Sequence, residues 1–180
     1  MRTLTIETPI KVYTYHELSA EEQKLTESAL EATHRSYAPY SNFHVGAAVL
    51  LENDVIVTGT NQENVAYPSG LCAERTALFY ANSQYPDVAI KALAIVGCSQ
   101  HEGMNHTPIS PCGACRQVMI ETEKRFGKPI KFCSAVQRKC MYAKVHPAYC
   151  PCPLIFSAQR ALNLIKMMIY HLKNAIFVPR

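Results

Sequence analysis

Three cysteines and one glutamate stand in two short segments, Cys72-Ala73-Glu74 and Pro111-Cys112-Gly113-Ala114-Cys115-Arg116-Gln117. Their types and spacing suit metal-assisted hydrolysis. Three thiolates bind one Zn²⁺ tightly and leave the fourth position of a tetrahedral ion open to water. Glu74 lies two residues from its cysteine, too close to act easily as a fourth ligand of the same ion. It is well placed to hand protons to and from that water. A structural zinc usually takes four protein ligands. Near either motif the fourth candidate is a carboxylate, so the pattern favours a catalytic ion over a structural one or a reduced thiol cluster.

These side chains need elements that bring them to one point. Cys112 and Cys115 are three apart, so one helical turn presents both sulfurs on the same side. Pro111 suits the start of a helix, and a helix N-terminus stabilises a thiolate. Cys72 likewise precedes a helical run, Ala73 to Ala81, in which Arg75 is placed to offset the negative charge of the cluster. Ahead of it, Ser19-Ala20-Glu21-Glu22 is a capping box that opens a helix through about Arg35, with Leu25, Ala29 and Ala32 on one face. Residues 43–51 and 55–60 read as strands joined by the polar turn Glu52-Asn53-Asp54. Ile90 to Gly97 is a short apolar run consistent with a buried strand. The loop 98–111 then delivers the second helix, to about Phe126. Strands interleaved with helices imply an α/β fold with a central sheet covered on both faces.

From about Ser36 to Gln117 the chain resembles the homotetrameric, three-cysteine cytidine deaminases. Four separated motifs agree in order and spacing: Tyr37-Ala38-Pro39-Tyr40-Ser41-Asn42-Phe43-His44-Val45-Gly46-Ala47-Ala48, then Asn61-Gln62-Glu63-Asn64-Val65-Ala66-Tyr67, then the two cysteine motifs. The likeness covers most of residues 15–131. It implies a three-layer α/β/α sandwich with a central mixed sheet, one Zn²⁺ per subunit on Cys72, Cys112 and Cys115, and Glu74 as the catalytic acid and base. It also implies that Phe43 lies against the pyrimidine ring, a stacking contact worth about 1–3 kcal/mol. Asn61 and Glu63 would bond the ribose hydroxyls, and the backbone of Ala73 and Ser110 would help fix the base. The implied reaction is hydrolysis of cytidine or deoxycytidine to uridine or deoxyuridine and ammonia, in pyrimidine salvage. From the residues alone, Phe43 also fits a core position beside Val45, and Asn61 fits a turn after Gly59.

After Lys131 the composition changes abruptly. All 14 acidic residues and all 7 glycines lie before it, whereas the last 49 residues hold neither and carry 7 Lys/Arg and 4 Cys. Residues 1–131 thus bear a net charge of −3, and the tail's +7 gives the chain its overall +4. The basic balance belongs to the tail and is no nucleic-acid footprint, which needs a basic face on the folded domain. The expected organisation is a catalytic domain over 1–131 followed by an atypical tail over 132–180, suspected to be translated out of frame, with an unrelated natural extension as the alternative. Read from the last base of the Lys131 codon, with synonymous third bases chosen to suit, the text becomes V-L-L-C-G-A-E and ends like the Leu-Leu-Pro…Phe terminus of the family. A shifted tail would remove the sheet's C-terminal segment and a Phe lent to a neighbouring subunit's site. Cys150-Pro151-Cys152 with His146 only superficially suggests a second metal site.

The length suits a single core. No stretch reads as a signal peptide or membrane span, and eight cysteines that include three zinc thiolates fit a reducing, cytoplasmic home. The expected partner is a small nucleoside, with neither nucleic acid nor membrane. The alternatives are a deaminase of a base in nucleic acid or of a cytosine-containing antibiotic, and an inactive zinc-stabilised domain. The −3 balance and the Asn61/Glu63 pair argue against the nucleic-acid reading.

Overall fold

A computed structural model of the chain describes residues 10–99, 103–136 and 139–144. The chain divides into two compact units, Met1–Cys150 and Pro151–Arg180. The second lies outside the described residues, as do Cys150, Cys152 and His146.

Helix α1 (Ala20–Ala32) opens as its capping box requires: Ser19 Oγ accepts from Glu22 N–H, and the Glu22 carboxylate accepts from Ser19 N–H at 2.9 Å. It ends in a 3₁₀ turn over Thr33–Arg35. Strands β1 (Lys11–Thr14), β2 (Phe43–Leu51), β3 (Ile56–Thr60) and β4 (Ile90–Ser99) alternate with α1 and α2 (Ala73–Gln84). The short β5 (Gly103–Met104), α3 (Gly113–Phe126), β6 (Lys131–Val136) and β7 (Lys139–Lys144) complete the described fold. The sheet runs β1-β7-β6-β4-β2-β3, with β5 paired to the end of β4. Only the β4–β6 pair is parallel among the described strands, so the sheet is mixed, as the resemblance implies.

Side chains alternate across the sheet with the period of two that a pleated strand imposes. On one face Ala47, Val49, Leu51, Leu93 and Ile95 pack with Ala77, Leu78 and Met119 of α2 and α3. On the other, Ala48, Leu50, Ala92, Ala94 and Val96 pack with Leu25 and Ala29 of α1. Three layers result. The small residues let helix backbone approach strand backbone closely. A Cβ on Gly46 would lie 2.0 Å from the Ala29 carbonyl oxygen, and one on Gly59 would lie 2.4 Å from the Ala77 nitrogen. Both sites require glycine for space.

The expectation that the sheet lacks its C-terminal segment is not met. The change of composition falls at the first residue of β6, which pairs with β4 from Ala92↔Lys131 to Val96↔Ala135, and β7 pairs with β6 and β1. The physical reason is local: Phe132, Cys133, Ser134, Ala135 and Val136 are all buried and form the short apolar run that a covered parallel strand needs.

Candidate metal centre and active site

Two helix N-termini converge on one point. Cys72 occupies the N-cap of α2 and Cys112 the N-cap of α3, both in extended backbone, and Cys115 sits in the first turn of α3. The sulfurs of Cys72, Cys112 and Cys115 lie within 4.8 Å of one another. Cys72 and Cys112 are 3.8 Å apart and Cys112 and Cys115 3.4 Å. Among the described residues this is the one cluster of such ligands.

The electrostatics follow from that crowding. Hydrogen bonding with the Cys115 and Cys72 sulfurs, together with N–H groups of Cys115 and Ala114, holds Cys112 below the usual thiol range. Hydrogen bonding with Cys112 raises Cys72 and Cys115. Arg75 Nη2 donates to Cys72 Sγ at 3.8 Å, placing a positive charge against the cluster. Glu74, in the first turn of α2, is 5% exposed, and burial pushes its carboxyl up to about 7. Ala73, between Cys72 and Glu74, is fully buried.

A second group of predicted residues gathers at the start of β2. Asn61 spans the strand with both ends of its amide: Oδ1 accepts from Val45 N–H at 2.8 Å and Nδ2 donates to the Phe43 carbonyl at 2.9 Å. Glu63 Oε2 accepts from the N–H groups of Tyr40 and Ser41 at 2.9 and 3.3 Å. Phe43 is half-buried, its ring so close to Gly97 that a Cβ there would lie 2.6 Å from Phe43 Cζ and 3.2 Å from Ile109 Cδ1. Asn42 takes a positive φ of 52° just before it, a conformation that asparagine tolerates better than most residues. Ser110 is exposed.

The two groups are tied together. Gln62 and Leu71 exchange both backbone hydrogen bonds, each 2.9 Å, so the segment holding Asn61 and Glu63 is clamped to the residue before Cys72. The sequence reading missed this clamp, Gly97 beneath Phe43, and Ser134, whose Oγ accepts from Ile109 N–H at 3.1 Å beside Ser110. A glycine inside an apolar strand run is the one advance signal, because it marks a close approach.

Residues 19–127 match the family described as the cytidine and deoxycytidylate deaminase zinc-binding region. The chain is 43% identical over 99 residues to a cytidine deaminase of Halalkalibacterium halodurans, covering 55% of this chain and 70% of that one. It is 48% identical over 99 residues to one of Sporosarcina psychrophila, covering 55% and 68%. Its fold is similar to the crystal structure of the cytidine deaminase of Burkholderia pseudomallei, with a TM-score of 0.52 at 43% identity over 62% of this chain and 82% of that one. With three sulfurs converging at two helix N-termini and a buried carboxylate two residues along, the chain belongs to the zinc-binding cytidine and deoxycytidylate deaminase family.

Proposed function

We propose that this chain hydrolyses cytidine and deoxycytidine to uridine and deoxyuridine, holding one Zn²⁺ per subunit on Cys72, Cys112 and Cys115. One observation carries the reading: buried Glu74 stands in the first turn of α2, two residues from a cysteine whose sulfur meets two others. Convergent thiolates with a fourth position open suit zinc, which when bound supplies the Lewis acidity that activates water as a nucleophile. The chain does the rest. Glu74 accepts a proton from the attacking water, passes it to N3 of the cytosine and delivers one to the leaving amine, so that C4 gains oxygen and ammonia departs. A carboxyl lifted to about 7 by burial suits both halves of that task near neutral pH. Arg75 offsets the charge of the sulfurs.

Phe43 packs against the base, and the backbone of Ala73 and Ser110 fixes its edge. Asn61 and Glu63 bind the ribose hydroxyls. An amide has two donor hydrogens and two acceptor sites, so the two bonds of Asn61 leave one of each for the sugar. Glu63 uses only Oε2 on the loop among the described residues.

The reading extends to a cytoplasmic homotetramer working in pyrimidine salvage on free nucleosides. Five large apolar side chains, Val65, Tyr67, Leu71, Phe79 and Tyr80, are exposed between residues 65 and 80, which supports self-association. The six described cysteines are free thiols, in keeping with a reducing compartment, and no described helix is long and apolar enough to cross a membrane. Residues 1–131 form the catalytic segment on this reading, and the acid-free, glycine-free stretch beyond them is out of frame. Resequencing the gene across the Lys131 codon tests that; an intact frame there sinks it.

The activity test is conversion of cytidine to uridine by the zinc-loaded full chain. Glu74→Gln should lower kcat by at least about 10²–10⁴-fold while zinc content stays at one per chain. Equal turnover by the two proteins, or none by the folded parent, overturns the proposal.

A further inference from the structure

Strand β3 stops short of the start of β2. Its last pair with β2 is Gly46↔Thr60, and one further backbone bond runs from Asn61 N–H to the Val45 carbonyl at 3.1 Å. The main chain then leaves the sheet, because the Asn61 carbonyl accepts from Tyr37 N–H at 3.1 Å. Two rungs are still to be made on β2, at Val45 N–H and the Phe43 carbonyl. The Asn61 side chain makes both, at 2.8 and 2.9 Å. A planar carboxamide can do so because it carries an acceptor and a donor side by side, as a peptide group does. Phe43 N–H donates in turn to Ser41 Oγ at 3.1 Å. Side chains thus hold both backbone polar groups of Phe43, the first residue of its strand. Gly97 backs the ring: a Cβ there would come within 2.6 Å of Phe43 Cζ, and Ile109 Cδ1 crowds the same space at 3.2 Å. The ring has no room to retreat toward β4, so its place follows from the backbone that Asn61 fixes.

We propose that Asn61 is a positioning residue for Phe43, so that the amide facing the ribose also sets how tightly the base is held. This rests on the reading in which Phe43 packs against the pyrimidine, and it adds a second role to a residue given only the sugar. The two roles separate cleanly by ligand. An amide that touched the sugar alone would leave the affinity for a bare base unchanged. An amide that acts through Phe43 must alter that affinity, because a stacking contact depends on where the ring stands.

The test uses the zinc-loaded full chain and two ligands, cytidine and 1-methylcytosine, which keeps the base and replaces the sugar by a methyl group. Asn61→Asp retains an acceptor for Val45 N–H but sets a carboxylate oxygen against the Phe43 carbonyl in place of a donor. It should weaken 1-methylcytosine, read as competitive inhibition of cytidine turnover, by at least about fivefold, the lower end of what one stacking contact is worth. Zinc should stay at one per chain. Asn61→Ala leaves both rungs to water without a misplaced charge and should show the same loss, which covers a failure of the aspartate variant to fold. With Phe43→Ala in place, Asn61→Asp should add no further loss, because the ring through which it acts is gone. A zinc-loaded Asn61 variant with a higher KM for cytidine but the parent's inhibition constant for 1-methylcytosine confines the amide to the sugar and overturns this proposal alone. An undiminished effect of Asn61→Asp in the Phe43→Ala background does the same. A folded parent that fails to turn over cytidine overturns the deaminase reading as well.

Discussion

Glu74 has given up more solvent than any other carboxylate described in the site, and its protonation is coupled to folding. Its carboxyl is pushed from an ordinary 4.5 to about 7 by burial. The folded state therefore binds a proton that the unfolded chain has released throughout that interval. Stability from this group is present below about pH 4.5 and is lost as pH rises through 7, by about 3 kcal/mol in all. In zinc-free protein, urea unfolding at pH 5 and pH 8 should show this loss in the parent, and Glu74→Gln should lack it. Identical pH slopes in the two proteins would exclude the account. The sulfurs make a complementary prediction: whatever protons they carry must leave when all three become thiolates. Zinc titration at pH 7 in weak buffer should release protons, and Cys115→Ala should release fewer and bind zinc far more weakly.

At the scale of elements, the site depends on helices pressed onto strands with nothing between them. Gly59→Ala would put a Cβ 2.4 Å from the Ala77 nitrogen and 2.8 Å from the Ala73 carbonyl oxygen, neither of which is a flexible side-chain end. The first turn of α2, with Cys72 and Glu74, must move. The variant should lose about 1–3 kcal/mol of stability, the usual cost of overpacking, together with zinc affinity. Normal zinc binding in a destabilised Gly59→Ala would separate the two effects and refute the coupling.

Much of this layer was legible in the chain. The capping box at Ser19, the strand over 43–51 and the helix starts at Cys72 and Cys112 each rest on local chemistry that the fold preserves. The misses share a different cause. Asn61 meets Phe43 and Val45 across 18 and 16 residues, and Glu63 meets Tyr40 across 23; no periodic pattern encodes such pairings. Strand β6 was hidden for another reason: a break in composition does not bear on strand formation, which asks only for a short apolar run next to an open edge of β4.

Across the whole molecule, described surface ion pairs such as Lys91–Glu21 and Lys128–Glu52 are substantially exposed, and pairs of that kind contribute about 0–1 kcal/mol each. Salt should therefore leave the fold largely untouched. The exposed apolar side chains over residues 65–80 matter more to assembly, and light scattering of the full chain should report four copies. A monomer at micromolar concentration would discard the tetramer. The backbone exchange between Gln62 and Leu71 reaches further than either segment. It joins the strip that carries Asn61 and Glu63 to the strip that carries the first sulfur, so neither can shift alone. On the proposed roles of Asn61, Glu63 and Cys72, occupancy by a sugar and occupancy by an ion then share a free energy, and each must change the affinity of the other by the same factor. A nucleoside analogue that cannot react should slow the loss of zinc to a chelator, and zinc removal should weaken the analogue in equal measure.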